Sequence, residues 1–246
     1  MSDIELTWIG LGVALAVTLI GLVLARLRPP RLRPIPAYVV LPETAADAVE
    51  SDNRMHLSFG SSAIGETSTV SALASAEVFY RLAERLAVSP QPPLITTSAG
   101  LTLPLAQDTL RRAYTYRDRL PAWRSTSAAW FPQGARSLAF AAGASSLAAD
   151  RDVFSTVLLG RFGIELALMG ESALRHDQAL VAHSDLPEGQ AIAYAQADHA
   201  LIGEELYVGP AYLNGRAIEV GGVLALDVLR WLVIVGILAA AIDAAL

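Results

Sequence analysis

The sequence predicts an α/β fold: a mostly parallel sheet with flanking helices in Rossmann-like layering, bracketed by an N-terminal and a C-terminal transmembrane helix. Three observations predict it. Residues 6–25 run for twenty positions without a charge, and residues 223–246 form a second apolar stretch. Between the two, short apolar runs ending in glycine or serine alternate with segments of helical period, the pattern of strand and helix in parallel layers.

Composition narrows the chemistry. Of 246 residues, 53% are apolar and 17% charged, with a mean hydropathy of +0.43; an average soluble protein carries about 25% charged residues. Such a chain is not disordered, and its net charge of -6 argues against a nucleic-acid partner bound through its phosphates. All 18 basic residues are arginine, so there is no lysine for a Schiff base or a Walker A motif. With no cysteine there is no thiolate nucleophile, disulfide or cysteine-ligated metal.

The elements follow in chain order, in four expected segments. Residues 1–28 hold the first transmembrane helix, whose uncharged run spans about 30 Å at 1.5 Å per residue. Asp3 and Glu5 precede it, while Arg26, Arg28, Arg31 and Arg33 follow. Positive charge is retained on the cytoplasmic side, which predicts a cell inner-membrane protein with its N-terminus outside and its α/β domain in the cytoplasm. Residues 29–53 read as a proline-rich exit, a short extended run and an acidic connector, because Pro29, Pro30, Pro34 and Pro36 interrupt a helix. Residues 54–222 form the α/β domain. Its expected strands are 55–59, 94–97, 127–131, 138–141, 153–159 and 179–182, and its expected helices 69–87, 104–118, 164–176 and 190–206.

Residues 223–246 form the closing helix, following Gly221 and Gly222. Only 231–242 is free of charge, about 18 Å of helix, so a full crossing must include Asp227 and Arg230. These two lie three apart and share a face. Arg230 can snorkel to headgroups beside the interfacial Trp231; the alternative is that the pair meets another subunit.

Open parallel sheets bind ligands beyond the carboxyl ends of their strands. The expected strand ends here are rich in small residues, which nominates Gly60, Ser61, Ser62, Gly65, Ser98, Gly100, Gly143 and Ser145 as a cradle for a nucleotide or other anionic small ligand. Tight strand-to-helix turns need the same residue types for their own backbone. Neither the P-loop, the G-x-G-x-x-G fingerprint nor G-x-S-x-G is completed. His176, Asp177 and His183 match no metal spacing and read as surface residues, so no metal, cofactor or catalytic residue is assigned. Arginines 111, 112, 117, 119, 124 and 136 interleave with Tyr114, Tyr116, Trp123, Trp130 and Phe131, a mixture suited to a core edge, an interface or anionic headgroups.

The blocks PLAQDTLRRAY, LIGEELYVGPAYL and LDVLRWLVIVGIL, with MHLSFGSSAIGETSTVSALASAEVFYRLAE and GRFGIELALMGESA, resemble a family of bacterial membrane proteins carrying a domain of unknown function. The resemblance implies the same arrangement of an N-terminal helix, an α/β body and a closing helix. It carries no activity, cofactor or catalytic residue.

The functional expectation is therefore non-enzymatic: a membrane-anchored structural or assembly subunit whose α/β domain self-associates or docks in a larger membrane complex, in contact with lipid. The alternative is a membrane-tethered sensor domain for a nucleotide or another anionic small ligand.

Overall fold

The computed structural model describes residues 3–27, 32–149 and 153–245. The chain divides into two compact units. One comprises Met1–Arg33 with Pro210–Leu246, the other Pro34–Gly209.

The first unit is a helix pair. α1 (Asp3–Leu27) and α9 (Ala217–Ala245) pack along each other, with the short α8 (Gly209–Asn214) leading into α9. The packing depends on small residues. Gly21 faces the Gly221 carbonyl and Ala225, Gly221 faces the backbone of Leu22, and Ala25 clusters with Ala211 and Val220. The pairing of 25 with 220 and of 21 with 225 makes the helices antiparallel. Each has a segment long and apolar enough to cross a membrane, Gly10–Leu27 and Ala217–Leu238. α9 begins six residues before the expected segment, and Gly221 and Gly222 lie inside it as contact residues rather than ahead of it.

The second unit is built on a six-stranded, all-parallel sheet in the order β3-β2-β1-β4-β5-β6. In chain order its elements are α2 (Pro36–Glu50), β1 (Arg54–Gly60), α3 (Thr69–Leu86), β2 (Leu94–Thr97), α4 (Thr102–Tyr116), β3 (Ala128–Trp130), α5 (Leu138–Ala149), β4 (Val153–Arg161), α6 (Leu166–Arg175), β5 (Ala179–Ser184), α7 (Pro187–Gln196) and β6 (His199–Ala200). The chain winds outward from β1 through β2 to β3, returns to β4 beside β1, and winds outward again to β6. Crossovers of one hand travelling in opposite directions place α3 and α4 on one face and α6 and α7 on the other.

Side chains alternate accordingly. Met55, Leu57 and Phe59 point to the α3 face, where Phe59 meets Phe79 edge to face at 4.7 Å. His56 and Ser58 point the other way and join Thr96 in a buried chain, with His56 Nε2 2.8 Å from Thr96 Oγ1 and the Thr96 hydroxyl donating to Ser58 Oγ at 2.9 Å. On that same face Phe140, Ala141 and Ala144 of α5 pack with Leu158, Met169, Leu180 and Ala182.

Three expectations on secondary structure are corrected. The extended run and connector expected over 37–53 is largely the helix α2. Pro36 occupies its first turn, and Ala37, Tyr38, Leu41, Thr44, Ala45 and Ala48 bury one face at helical spacing. The strand expected at 138–141 is the first turn of α5, an alanine-rich helix with no polar face to mark its period. The helix expected over 190–206 ends at Gln196, and β6 follows.

Candidate functional site

The carboxyl edge of the sheet carries six of the eight nominated ligand residues. Gly60, Ser61, Ser62 and Gly65 lie at the end of β1 and in the β1–α3 loop; Ser98 and Gly100 lie in the β2–α4 loop. Gly143 and Ser145 lie inside α5 instead, where a side chain at Gly143 would collide with the Phe131 ring. The strand end expected after 138–141 is therefore not there, and these two do not join the other six at the edge.

At this edge the small residues serve the backbone. The Ser61 N–H and hydroxyl both donate to the Arg161 carbonyl, at 2.8 and 2.9 Å. The Ser98 N–H and hydroxyl both donate to the Gly60 carbonyl, at 2.9 and 3.1 Å. Ser184 Oγ accepts from the Phe162 N–H at 3.1 Å and donates to the Phe162 carbonyl at 2.6 Å. Parallel strands leave such groups unpaired where the ladder stops, and hydroxyls two or three atoms from the backbone are the shortest way to satisfy them. The two glycines at the centre complete the closure. Gly60 has φ +59° and Gly160 φ +149°, and a Cβ on either would strike the neighbouring strand's carbonyl, that of Arg161 or of Phe59. Between them the Ser62 hydroxyl is buried without a hydrogen-bond partner, and the Arg161 guanidinium donates to Thr67 Oγ1 at 3.0 Å.

Spacing in the sequence gave no sign of a second cluster beside this edge. His183, expected at the surface, is buried. Its Nδ1 lies 3.1 Å from the Leu201 carbonyl and its Nε2 3.4 Å from Asp185 Oδ1, to which the Tyr207 hydroxyl donates at 3.3 Å. Burial pushes the Asp185 carboxyl up, but hydrogen bonds from His183 and Tyr207, the nearby Ser71 hydroxyl and the histidine's charge outweigh it and hold the group below the usual carboxylate range. Burial first, then the Asp185 charge, pushes the Tyr207 phenol up. The carboxylate is an acceptor for its neighbours, and the cluster joins the segment after β6 to β5.

The outer rim of the same edge is apolar. Val70 at the start of α3, Leu101 before α4, Trp130 at the end of β3, Ile164 after β4 and Ile202 after β6 are each between 46% and 68% exposed. Both chain connections of this unit also leave here. Tyr38, in the first turn of α2, donates its hydroxyl to the Glu205 carbonyl at 2.7 Å and packs against Gly209.

The arginine-aromatic segment is divided. Tyr114 is buried and Phe131 packs on the α5 core, whereas Tyr116 and Trp130 are exposed. Arg81 and Arg112 sit over the Tyr80 ring, each 4.9 Å from its centroid.

Of the residues nominated for the membrane interface, Arg28 and Arg31 lie outside the described residues. Arg26 ends α1 on an exposed position, and the Arg33 carbonyl accepts from the Tyr212 hydroxyl. Asp227 and Arg230 approach to 3.9 Å on one face of α9, their side chains 59% and 47% exposed, with Trp231 exposed beside them. Antiparallel pairing sets their level along the helix pair. Since Ala225 is level with Gly21, Arg230 lies about 15 Å along the axis from the level of Arg26 at 1.5 Å per residue. That is midway along the pair and beyond the length of an arginine side chain from the level of Arg26.

A family model described as a domain of unknown function, DUF6754, matches residues 3–246. No curated protein and no solved structure matches the chain.

Proposed function

The chain belongs to the DUF6754 family, and we propose that it is a membrane-anchored assembly subunit. In this reading α1 and α9 cross the inner membrane as an antiparallel pair, with the N-terminus outside and the α/β body in the cytoplasm. They meet further copies of the chain, or other membrane subunits, through the face bearing Asp227 and Arg230.

The depth of that ion pair carries the reading. Charged side chains in the middle of a bilayer are costly when they face lipid and are kept where they line a protein interface. Here the small-residue contact of α1 with α9 uses the opposite need, close backbone approach, and leaves the charged face outward. The test is the particle mass of the full chain in lipid nanodiscs, for the native sequence and for Asp227→Leu combined with Arg230→Leu. The reading expects more than one chain per native particle and one chain per variant particle.

A second reading, a sensor for a nucleotide or other anion, draws on the unpartnered Ser62 hydroxyl and the Arg161 guanidinium at the point where the strand order reverses. Its test is a thermal shift with nucleotides and inorganic phosphate, since a ligand bound only by the folded state raises the melting temperature.

A further inference from the structure

The doubly wound strand order leaves one face of β4, β5 and β6 without a crossover helix, and α2 covers it only in part. Between α2 and these strands lies a pocket of about 560 Å³. This is within the range of small-molecule sites, roughly 300–1,000 Å³. Val40 and Leu41 of α2, Val157 of β4 and Val181 of β5 make its apolar walls.

Its polar groups gather at the amino ends of the strands. Ser155 of β4 is 1% exposed, lines the pocket, and its hydroxyl has no hydrogen-bond partner. Leaving such a group unpaired costs about 1–3 kcal/mol. The other hydroxyl in the lining, that of Thr44, is already used, donating to the Val40 carbonyl at 3.0 Å. Asp177, before β5, and Asp198, before β6, add two carboxylates, with His199 beside them; no arginine lines the pocket. Asp198 Oδ2 accepts the Leu180 N–H at 2.8 Å, while Asp177 is exposed at φ +51° in the turn that ends α6.

We propose that this pocket binds a small amphiphilic amine, with an apolar body against the valine and leucine walls and an ammonium group held by the Ser155 hydroxyl and the Asp177 and Asp198 carboxylates. An ammonium offers three donors and a positive charge to three acceptors, two of them negative. Anions are excluded by the same carboxylates. No residue of the pocket belongs to α1 or α9, so the proposal stands or falls separately from the assembly reading.

The test uses the full chain in zwitterionic nanodiscs with three isosteric probes: 3-phenylpropylamine, 3-phenylpropanol and 3-phenylpropanoate, with empty nanodiscs as the partition control. Hydrogen exchange is followed over residues 36–50 and 177–184. The amine slows exchange in both segments saturably, the alcohol binds about tenfold more weakly, a loss of one charge-assisted contact, and the carboxylate has no effect. Ala179→Phe, which fills the pocket, abolishes the protection. Asp177→Asn keeps a residue type that tolerates its backbone conformation and weakens the amine while leaving the melting temperature and the response to the alcohol unchanged. Absence of amine protection, equal effects of amine and alcohol, or an Asp177→Asn variant with undiminished affinity overturns the proposal.

Discussion

The two ends of the parallel sheet differ in how they treat their hydroxyls. At the carboxyl edge Ser61, Ser98 and Ser184 spend theirs on carbonyls of the adjoining strand or loop, Ser62 keeps a buried hydroxyl unpaired, and a side chain at Gly60 or Gly160 would strike a carbonyl of the neighbouring strand. At the amino edge Ser155 keeps a buried hydroxyl unpaired over a pocket with apolar walls. Small polar residues in a run mark where a backbone must be satisfied; a lone one beneath an uncovered face marks where something else can be bound. The clustered signal marks the carboxyl edge, and nothing in it points to the amino-edge pocket.

Substitutions can break this contrast in order of size. The largest effect belongs to Gly160→Val or Gly60→Val, which would drive a branched side chain into a neighbouring carbonyl at a left-handed backbone position. A loss of about 3 kcal/mol or more is expected from strain and displaced strand pairing, seen as failure to give a cooperative thermal transition.

Acid comes next. His56 is fully buried, and burial lowers its pKa from 6.5 to about 4, so the folded chain holds it neutral while the unfolded chain protonates it first. The unfolded state therefore binds more protons between those values. Stability from this group is intact above pH 6.5, falls as the pH drops, and is lost by about pH 4, on the order of 3 kcal/mol in all. Denaturant titrations across that window, with His56→Asn as the comparison, read the slope directly; the variant loses it. Asp185, whose carboxyl is held low, acts in a more acidic window: its contribution is present above the ordinary carboxylate range and is lost as pH falls through its lowered value.

Ser61→Ala and Ser98→Ala each remove a hydroxyl that serves a buried carbonyl and should each cost about 1 kcal/mol by chemical denaturation. Ser155→Ala removes a buried hydroxyl that has no partner within the fold, so in the absence of ligand it should raise stability, by up to about 1–3 kcal/mol. A Ser155→Ala loss equal to that of Ser98→Ala would erase the distinction between the two edges.

Which parts were legible in the sequence follows from the signals that physics writes there. β1, β2, β4 and β5 are apolar runs stopped by small residues, α3 has a strong period, and both apolar helices declare themselves by length. α2 hid behind Pro36, Pro42 and the Val39–Val40 pair, all poor helix signals, although its buried positions 37, 41, 44 and 48 keep helical spacing. α5 hid because Ala139, Ala141, Ala142, Gly143 and Ala144 give no contrast between faces. Two aspects of the sites needed three dimensions. The His183–Asp185–Tyr207 cluster joins residues up to 24 positions apart across β5 and β6, and the level of Arg230 along the helix pair depends on an antiparallel register fixed by Gly21 and Ala225.

The central claim is that a charged face halfway along an apolar helix pair brings subunits together in the bilayer. Mass photometry of the native chain in lipid nanodiscs, beside the Asp227→Leu, Arg230→Leu double variant, measures it. The account predicts multichain particles for the first and single chains for the second; native particles of one chain with nothing bound alongside would contradict it.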